Sequence, residues 1–310
     1  TRKRQTGFRR GADTWLLVGL LCLSGACGLV ESARTTNAAE LVGLAIDAPC
    51  VVERNEVGDL GGAFLRQTGE SARFDLFHVR GRPGATGLPR RLRFDDTAIR
   101  RLSATDDGGV AGGRASTAVP MEGMAGGPAS AFTLSYTAGG TRFSGPLTLG
   151  IIPAPSEIPT SGQAAFTGTA QMTVVLQAPE GGTRRLALTG DATLQVGYGS
   201  GQSLLRVDNV AGGDGALPFH ALEWGPLGFC GARVVSTGAG TFRLLDDGGT
   251  RVRPFSAPPA ADAQTPSRAR LESTLHRGEA PGTPPSGAGG VFAIQGDGGL
   301  VWGAFTVSNP

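Results

Sequence analysis

From Phe166 to Tyr198 the chain alternates with a period of two. Phe166, Gly168, Ala170, Met172, Val174 and Leu176 are separated by Thr167, Thr169, Gln171 and Thr173. Leu186, Leu188, Ala192, Leu194, Val196 and Tyr198 alternate with Thr189, Asp191, Thr193 and Gln195 in the same way. Successive side chains of a strand point to opposite faces, so each run predicts a long strand with one apolar and one polar face. Pro179-Glu-Gly-Gly182 between them supplies a turn, and the pair predicts an antiparallel hairpin.

Strand-like runs follow at Ser203–Val210, Ala232–Leu245, Thr250–Phe255, Ala269–His276, Gly290–Gly296 and Leu300–Val307. Asp246-Asp-Gly-Gly249 and Asp297-Gly-Gly299 have the residues that tight hairpins require at positive φ. With the first hairpin these runs make eight strands, and closure into an up-and-down barrel would remove their exposed edges. Gly168, Gly190, Gly238 and Gly240 inside the strands suit a sharply coiled sheet. Ala211–Gly231, with Phe219, His220, Trp224, Phe229 and Cys230 among glycines, reads as an insertion that folds over the barrel. Ser256–Ser267 and Gly278–Gly289, rich in proline and alanine, read as loops.

Upstream, Ala131–Thr137 and Thr141–Leu149 make another hairpin, and Pro153–Pro159 marks a boundary. Ala63–Arg66 and Ala72–Val79 are strand candidates, Ala39–Asp47 has a weak helical spacing, and glycine-rich breaks interrupt the rest. The expected class is all-β: a carboxy-terminal eight-stranded antiparallel barrel over residues 158–310, preceded by a smaller β-rich domain over 27–157. Composition agrees, since 51 glycines and 20 prolines in 310 residues leave little room for long helices.

Residues 1–26 stand apart. Arg2, Lys3, Arg4, Arg9 and Arg10 precede the apolar run Trp15–Leu23, which is roughly half the ~20 residues of a membrane-spanning helix. Basic, then apolar, then small is the order of a cleaved export signal. Ser24, Gly25 and Ala26 before Cys27 resemble the lipobox of bacterial lipoproteins, which implies that Cys27 is the lipid-attachment residue and anchors the chain to a membrane. The expected location is the outer membrane or cell surface, with periplasmic or secreted protein as the alternative. Cleavage would remove five of the 28 basic residues and one of the 26 acidic ones, so the basic balance belongs to the signal. Nothing global then favours nucleic acid as a partner.

Cys22 lies in the signal, which leaves Cys50 and Cys230. In an oxidising compartment they either form a disulfide, closing a loop of the kind that restricts the unfolded chain by several kcal/mol (~4.7 for about 100 residues), or are two separately buried thiols.

No pattern points to catalysis, a cofactor or a metal. His78, His220 and His276 have no metal-ligand spacing, and there is no Gly-x-Ser-x-Gly elbow. A phosphate-binding Gly-x-x-x-x-Gly-Lys is ruled out because Lys3 is the sole lysine. Gly197-Tyr-Gly-Ser-Gly201 follows a strand and opens no helix, so it reads as a turn; Asp246 and Asp247 also belong to a turn. His220 near Asp214 and Glu223 has no identifiable nucleophile beside it. Two groups remain as candidate partner-binding residues. Arg90, Arg91 and Arg93 lie in an arginine-dense stretch with Arg80, Arg82, Arg100 and Arg101, interrupted only by Asp95 and Asp96. They are either a solvated face or a surface for an acidic partner such as lipopolysaccharide phosphates. Phe219, Trp224 and Phe229 are either binding anchors or a plug for the barrel mouth.

Three further motifs carry a resemblance. Ile158-Pro-Thr-Ser-Gly-Gln-Ala-Ala-Phe-Thr-Gly168, then Gly190-Asp-Ala-Thr-Leu-Gln-Val-Gly-Tyr-Gly199, then Gly289-Gly-Val-Phe-Ala-Ile-Gln-Gly296 with Gly303-Ala-Phe305, stand in order along about 150 residues. Together with the lipobox they resemble the barrel domains of transferrin-binding-protein-like surface lipoproteins of Gram-negative bacteria. The resemblance implies a "handle" domain before the barrel, no enzymatic activity, and capture of a host protein or haem carrier alongside an outer-membrane receptor. Those receptors have two handle–barrel lobes and this chain has room for one. The alternatives are a structural envelope lipoprotein or adhesin, and a lipocalin-like carrier. The large inward residues Phe166, Met172, Leu186 and Leu194 favour a filled barrel over a carrier's cavity.

Overall fold

The computed structural model describes residues 60–68, 74–83, 89–94, 103–104, 110–111, 117–138, 140–177, 182–214, 216–236, 242–252, 268–278, 280–296 and 299–310. The expected signal, the weak helix at Ala39–Asp47, Cys27 and Cys50 lie outside them. Among the described residues there are strands and one short 3-10 turn.

The amino-terminal strands are β1 (Leu60–Thr68), β2 (Phe74–Pro83), β3 (Pro89–Phe94), the short pair β4 (Ser103–Ala104) and β5 (Val110–Ala111), β6 (Thr117–Pro120), β7 (Ala129–Ala138) and β8 (Thr141–Ile151). Six of them form one antiparallel sheet in the order β3-β2-β1-β8-β7-β6. After Pro155–Glu157 in 3-10 conformation come β9 (Gln163–Gln177), β10 (Thr183–Gly197), β11 (Gln202–Ala211), β12 (Ala221–Cys230), β13 (Arg233–Ser236), β14 (Phe242–Leu245), β15 (Arg251–Val252), β16 (Arg268–His276), β17 (Gly287–Gly296) and β18 (Gly299–Ser308).

These close into an eight-stranded antiparallel barrel. β18 pairs with β9 from Gly299↔Leu176 to Ser308↔Thr167, and β11 pairs with β12, so the sheet closes on itself. The eight staves are not quite those the sequence pattern suggests. Ala221–Cys230, expected as part of an insertion, is a full stave; β13 and β14 are two segments of the next one, both paired to β12. Of the expected strand Thr250–Phe255, Arg251 and Val252 pair with β14 beside the ring, and residues 253–255 lie outside the described residues.

The alternating residues behave as their period demands. Phe166, Met172, Leu186, Leu194, Val196, Leu205 and Val207 are buried in one interior cluster with Trp224, Phe242, Phe292 and Phe305. The inward-facing side chains therefore fill the barrel as a packed core.

β17 and β18 break the alternation. Ala288, Phe292, Ile294, Val301 and Phe305 join the interior, while Val291, Ala293, Leu300, Trp302 and Ala304 are buried on the outside. Their cover is the amino-terminal sheet, the handle of the resemblance, through Ala63, Leu65, Leu76, Met124 and Ala131. Trp302 lies against Phe74, with ring centroids 5.3 Å apart, and under the Arg185 guanidinium at 5.3 Å. On its other face the handle sheet packs Phe64, Val79, Phe132, Leu134, Tyr136, Leu147 and Leu149 into a core of its own.

Ring closure depends on close backbone approach at Gly303, where an added Cβ would stand 2.2 Å from the Gln171 carbonyl oxygen and 2.9 Å from Met172 Cα. Backbone cannot yield as a flexible side chain does. Gly303→Ala is expected to lower stability by about 1–3 kcal/mol, the usual range for overpacking. A shifted urea midpoint with an unchanged slope checks this; an unshifted midpoint would show that the seam tolerates side chains there.

Candidate binding surfaces

Two places combine polar chemistry with a defined shape, and a third is a hairpin dense in arginine. The first is an open groove of about 650 Å³ on the barrel, lined by Gln163, Ala165, Gln195, Gln202, Leu204 and Pro226 among others. It arises where the β11–β12 register steps from Ser203↔Leu227 to Leu205↔Trp224, so that Gly225-Pro226, joined by a cis peptide, bulges from the wall. Leu204 leans over Gly225, where a Cβ would stand 2.6 Å from Leu204 Cδ1. Three glutamine amides beside apolar Ala165, Leu204 and Pro226 make this an uncharged surface that can donate and accept hydrogen bonds.

The second place is the polar side of the handle–barrel contact. The outward positions of β16 are polar, but the handle covers them: Glu272, Thr274 and His276 are all buried. Arg233 donates to both Glu272 carboxylate oxygens, at 2.9 and 3.1 Å, and His78 Nδ1 of the handle lies 3.6 Å from Oε1. Burial alone would raise the Glu272 carboxyl. The Arg233 charge, with hydrogen bonds from His78 and Arg233, outweighs that and holds it at about 2, against 4.5 ordinarily. Burial pushes His276 down from 6.5 to about 3; the Ile151 carbonyl opposes the shift and the nearby His78 charge adds to it. His276 fills a notch above Gly150, where a Cβ would come within 2.5 Å of the ring. One residue on, Arg277 N–H donates to the Ile151 carbonyl and its guanidinium lies 3.7 Å from Glu157. Glu157 also accepts from the Ala154 and Gly282 amides, both at 2.6 Å, which fastens the connecting turn to the β16–β17 loop.

The third place is the β2–β3 hairpin. Arg91 and Arg93 stand at register positions opposite Arg82 and Arg80, whereas Arg90 falls at the irregularity between Arg82 and Pro83.

The aromatic candidates divide. Phe219 and Trp224 are buried in the barrel core, Trp224 with its ring centroid 5.8 Å from Phe242 and 6.2 Å from Phe292. They are packing residues, not surface anchors, because Ala221–Cys230 is a stave and Trp224 falls on its inward side. Phe229 and Cys230 end that strand beside the turn at Gly231. His220 is fixed by backbone bonds to Val210 and Leu245, while Glu223 pairs with Arg206 and Arg243. The β16 groups were missed in the sequence because a polar outward face ordinarily means solvent.

No protein-family model matches the chain, and no curated protein matches it. Solved structures do. The intact Ap-TbpB structure, with N and C lobes, is similar over 84% of this chain and 47% of its own length, at 12% identity and a TM-score of 0.46. A double mutant of transferrin-binding protein B from Haemophilus parasuis Hp5 covers 82% of this chain and 45% of its own, at 11% identity and a TM-score of 0.45. A structure described as a surface lipoprotein covers 80% and 98%, at 8% identity and a TM-score of 0.36. The chain thus spans about half the length of the two transferrin-binding proteins.

The buried groups on β16 predict the acid response. The unfolded chain takes up a proton on His276 near pH 6.5 that the folded chain refuses until about 3, so stability falls as pH drops through that window. Glu272 adds to the loss between 4.5 and about 2, where the folded chain still resists protonation. Thermal unfolding of His276→Gln should show a flatter decline between pH 6.5 and 4.5 than the parent; an identical decline would contradict this origin. Glu272→Gln should be destabilising at neutral pH, by less than the roughly 3–5 kcal/mol of a fully buried pair. The discount reflects Arg233, whose side chain is 25% exposed.

Proposed function

We propose that the chain is a non-enzymatic, lipid-anchored surface binding protein of the transferrin-binding kind, holding a macromolecular, iron- or haem-related ligand against the outside of its handle and barrel. The observation that carries this reading is the filled barrel. Trp224, Phe166, Phe292 and Phe305 are each fully buried in the interior, so a lipocalin-like cargo has no space inside. Recognition is left to the outer walls, rims and connecting loops, the usual place for binding residues on a rigid scaffold. The uncharged groove beside Gly225-Pro226 is one such surface. The lipobox-like Ser24-Gly-Ala-Cys27 supports a tether at the membrane, and the likeness to surface lipoproteins is in keeping with display there.

The test uses protein from Gly28 onward, immobilised and exposed in turn to iron-loaded transferrin, other serum iron and haem carriers, and free haem. Saturable retention of one of these is the expected result. Retention of none, together with a deletion strain that grows normally on host iron but adheres poorly, would overturn it in favour of a structural lipoprotein or adhesin.

A further inference from the structure

The groove beside Gly225-Pro226 is built from two cross-strand rows of the barrel wall. In the first, Gly197 of β10 is the partner of both Gln163 on β9 and Gln202 on β11. In the second, Gln195 is the partner of both Ala165 and Leu204, and Leu204 in turn meets the bulge at Gly225-Pro226. The small residues Gly197 and Ala165 leave a hollow among the three glutamines, with Leu204 and Pro226 on its β12 side. Its rim is held by short-range bonds. Ser200 Oγ donates to the Gly197 carbonyl at 3.1 Å and accepts from the Gln202 N–H at 3.3 Å, and the Gly201 N–H donates to the same carbonyl at 2.9 Å.

Among the described residues that line the groove, none is charged. The next row along the wall does hold charges, but they answer one another: Arg206 lies 2.7 Å from Asp208 and 3.9 Å from Glu223, which is 3.4 Å from Arg243. A charged ligand group would enter the groove without a counter-charge and lose hydration for nothing. The glutamines are in the opposite position. All three are exposed, and among the described residues their side-chain amides make no hydrogen bond to the protein.

We propose that this groove binds an uncharged, extended peptide segment of a partner protein. A glutamine side chain ends in the same group as a peptide bond, a carbonyl that accepts and an N–H that donates, so it matches a main-chain amide on both counts. Same-side groups of an extended chain recur every ~6.6–6.8 Å, which is also the spacing along the barrel strands from Gln195 to the row of Gln163 and Gln202. A segment lying along β10 therefore meets a glutamine amide at its own repeat, while an apolar side chain packs on Leu204 and Pro226. A saccharide fits less well, since among the described lining residues there is no aromatic ring for a sugar to stack on. The assignment rests on the reading of the outer wall as the recognition surface and names the chemistry recognised there.

The test probes an array of end-capped hexapeptides, made only of Gly, Ala, Ser, Thr, Asn, Gln, Val and Leu, with the full chain, beside the same peptides carrying one Asp or one Lys. The best peptide is then titrated by fluorescence anisotropy. Uncharged peptides should be retained in preference to their charged counterparts. Gln163→Ala, Gln195→Ala and Gln202→Ala together should weaken the titrated binding by on the order of 100-fold, as the loss of several hydrogen bonds requires. Gln195→Glu alone should shift the preference towards Lys-bearing peptides. Because all three positions are exposed, circular dichroism and the unfolding midpoint should stay at the parent's values and serve as the folding control. Unchanged binding in the folded triple variant would overturn the proposal. So would equal binding of charged peptides, retention of no peptide, or tighter binding of maltohexaose than of any peptide, which would assign the groove to a saccharide. A wild-type chain that captures an iron or haem carrier but no peptide refutes the groove assignment alone. Peptide binding that the triple variant loses, with no carrier captured, supports the groove and counts against the iron- or haem-related ligand.

Discussion

The β17–β18 hairpin is buried on both faces, and the rest of the molecule is arranged around that fact. Phe292, Ile294, Val301 and Phe305 face the barrel interior, while Val291, Ala293, Leu300, Trp302 and Ala304 face the handle. A barrel wall normally gives its outer side to water. Here that side would be a contiguous apolar patch without the handle, and such patches are rarely left uncovered. The same two strands therefore close the ring, through β18 on β9, and fasten the amino-terminal sheet to its outside.

Beside the apolar contact runs the polar stripe of β16. Apolar burial is not directional and by itself tolerates sliding. The approach of His78 to Glu272, which Arg233 holds in place on the barrel, and the His276 ring above Gly150 each hold only in one register. Apolar area supplies the attraction and the stripe selects the seat, a division of labour in which a buried charge network contributes specificity more than net stability. Glu157, bound to the connecting turn and to the β16–β17 loop, extends the same fixing to the segment that joins handle and barrel.

Much of the barrel was legible in the sequence because its strands at β9 and β10 are buried on one face, and one-sided burial writes a period of two. The strand at Ala221–Cys230 was not, since Gly225 and Pro226 interrupt its pattern and a bulge absorbs them. Arg251 and Val252 follow a turn and pair with β14, the end of the preceding expected strand. For the handle contact a signal did exist: Gly289–Ile294 and Leu300–Val307 have almost no polar residue between the apolar ones, as strands buried on both faces do. The candidate sites were less legible. Trp224 read as a surface candidate because Gly225 and Pro226 hide the strand that turns it into the core, and the cross-strand pairing of Arg80 with Arg93 and of Arg82 with Arg91 needs the register, which no single strand carries. Glu272 and His276 read as solvent-facing because the covering sheet is more than a hundred residues away in sequence.

A filled barrel with a sheet fastened to its wall is suited to presenting fixed surfaces, since neither the interior nor the contact has to open for a partner to bind. Native-state hydrogen exchange tests that rigidity most directly. If handle and barrel are one unit, the hydrogen-bonded amides of β1 and β8 will exchange through the same denaturant-dependent global opening as those of β17 and β18. Exchange of the handle amides through a separate, lower and denaturant-insensitive opening, while the barrel amides stay protected, would contradict it.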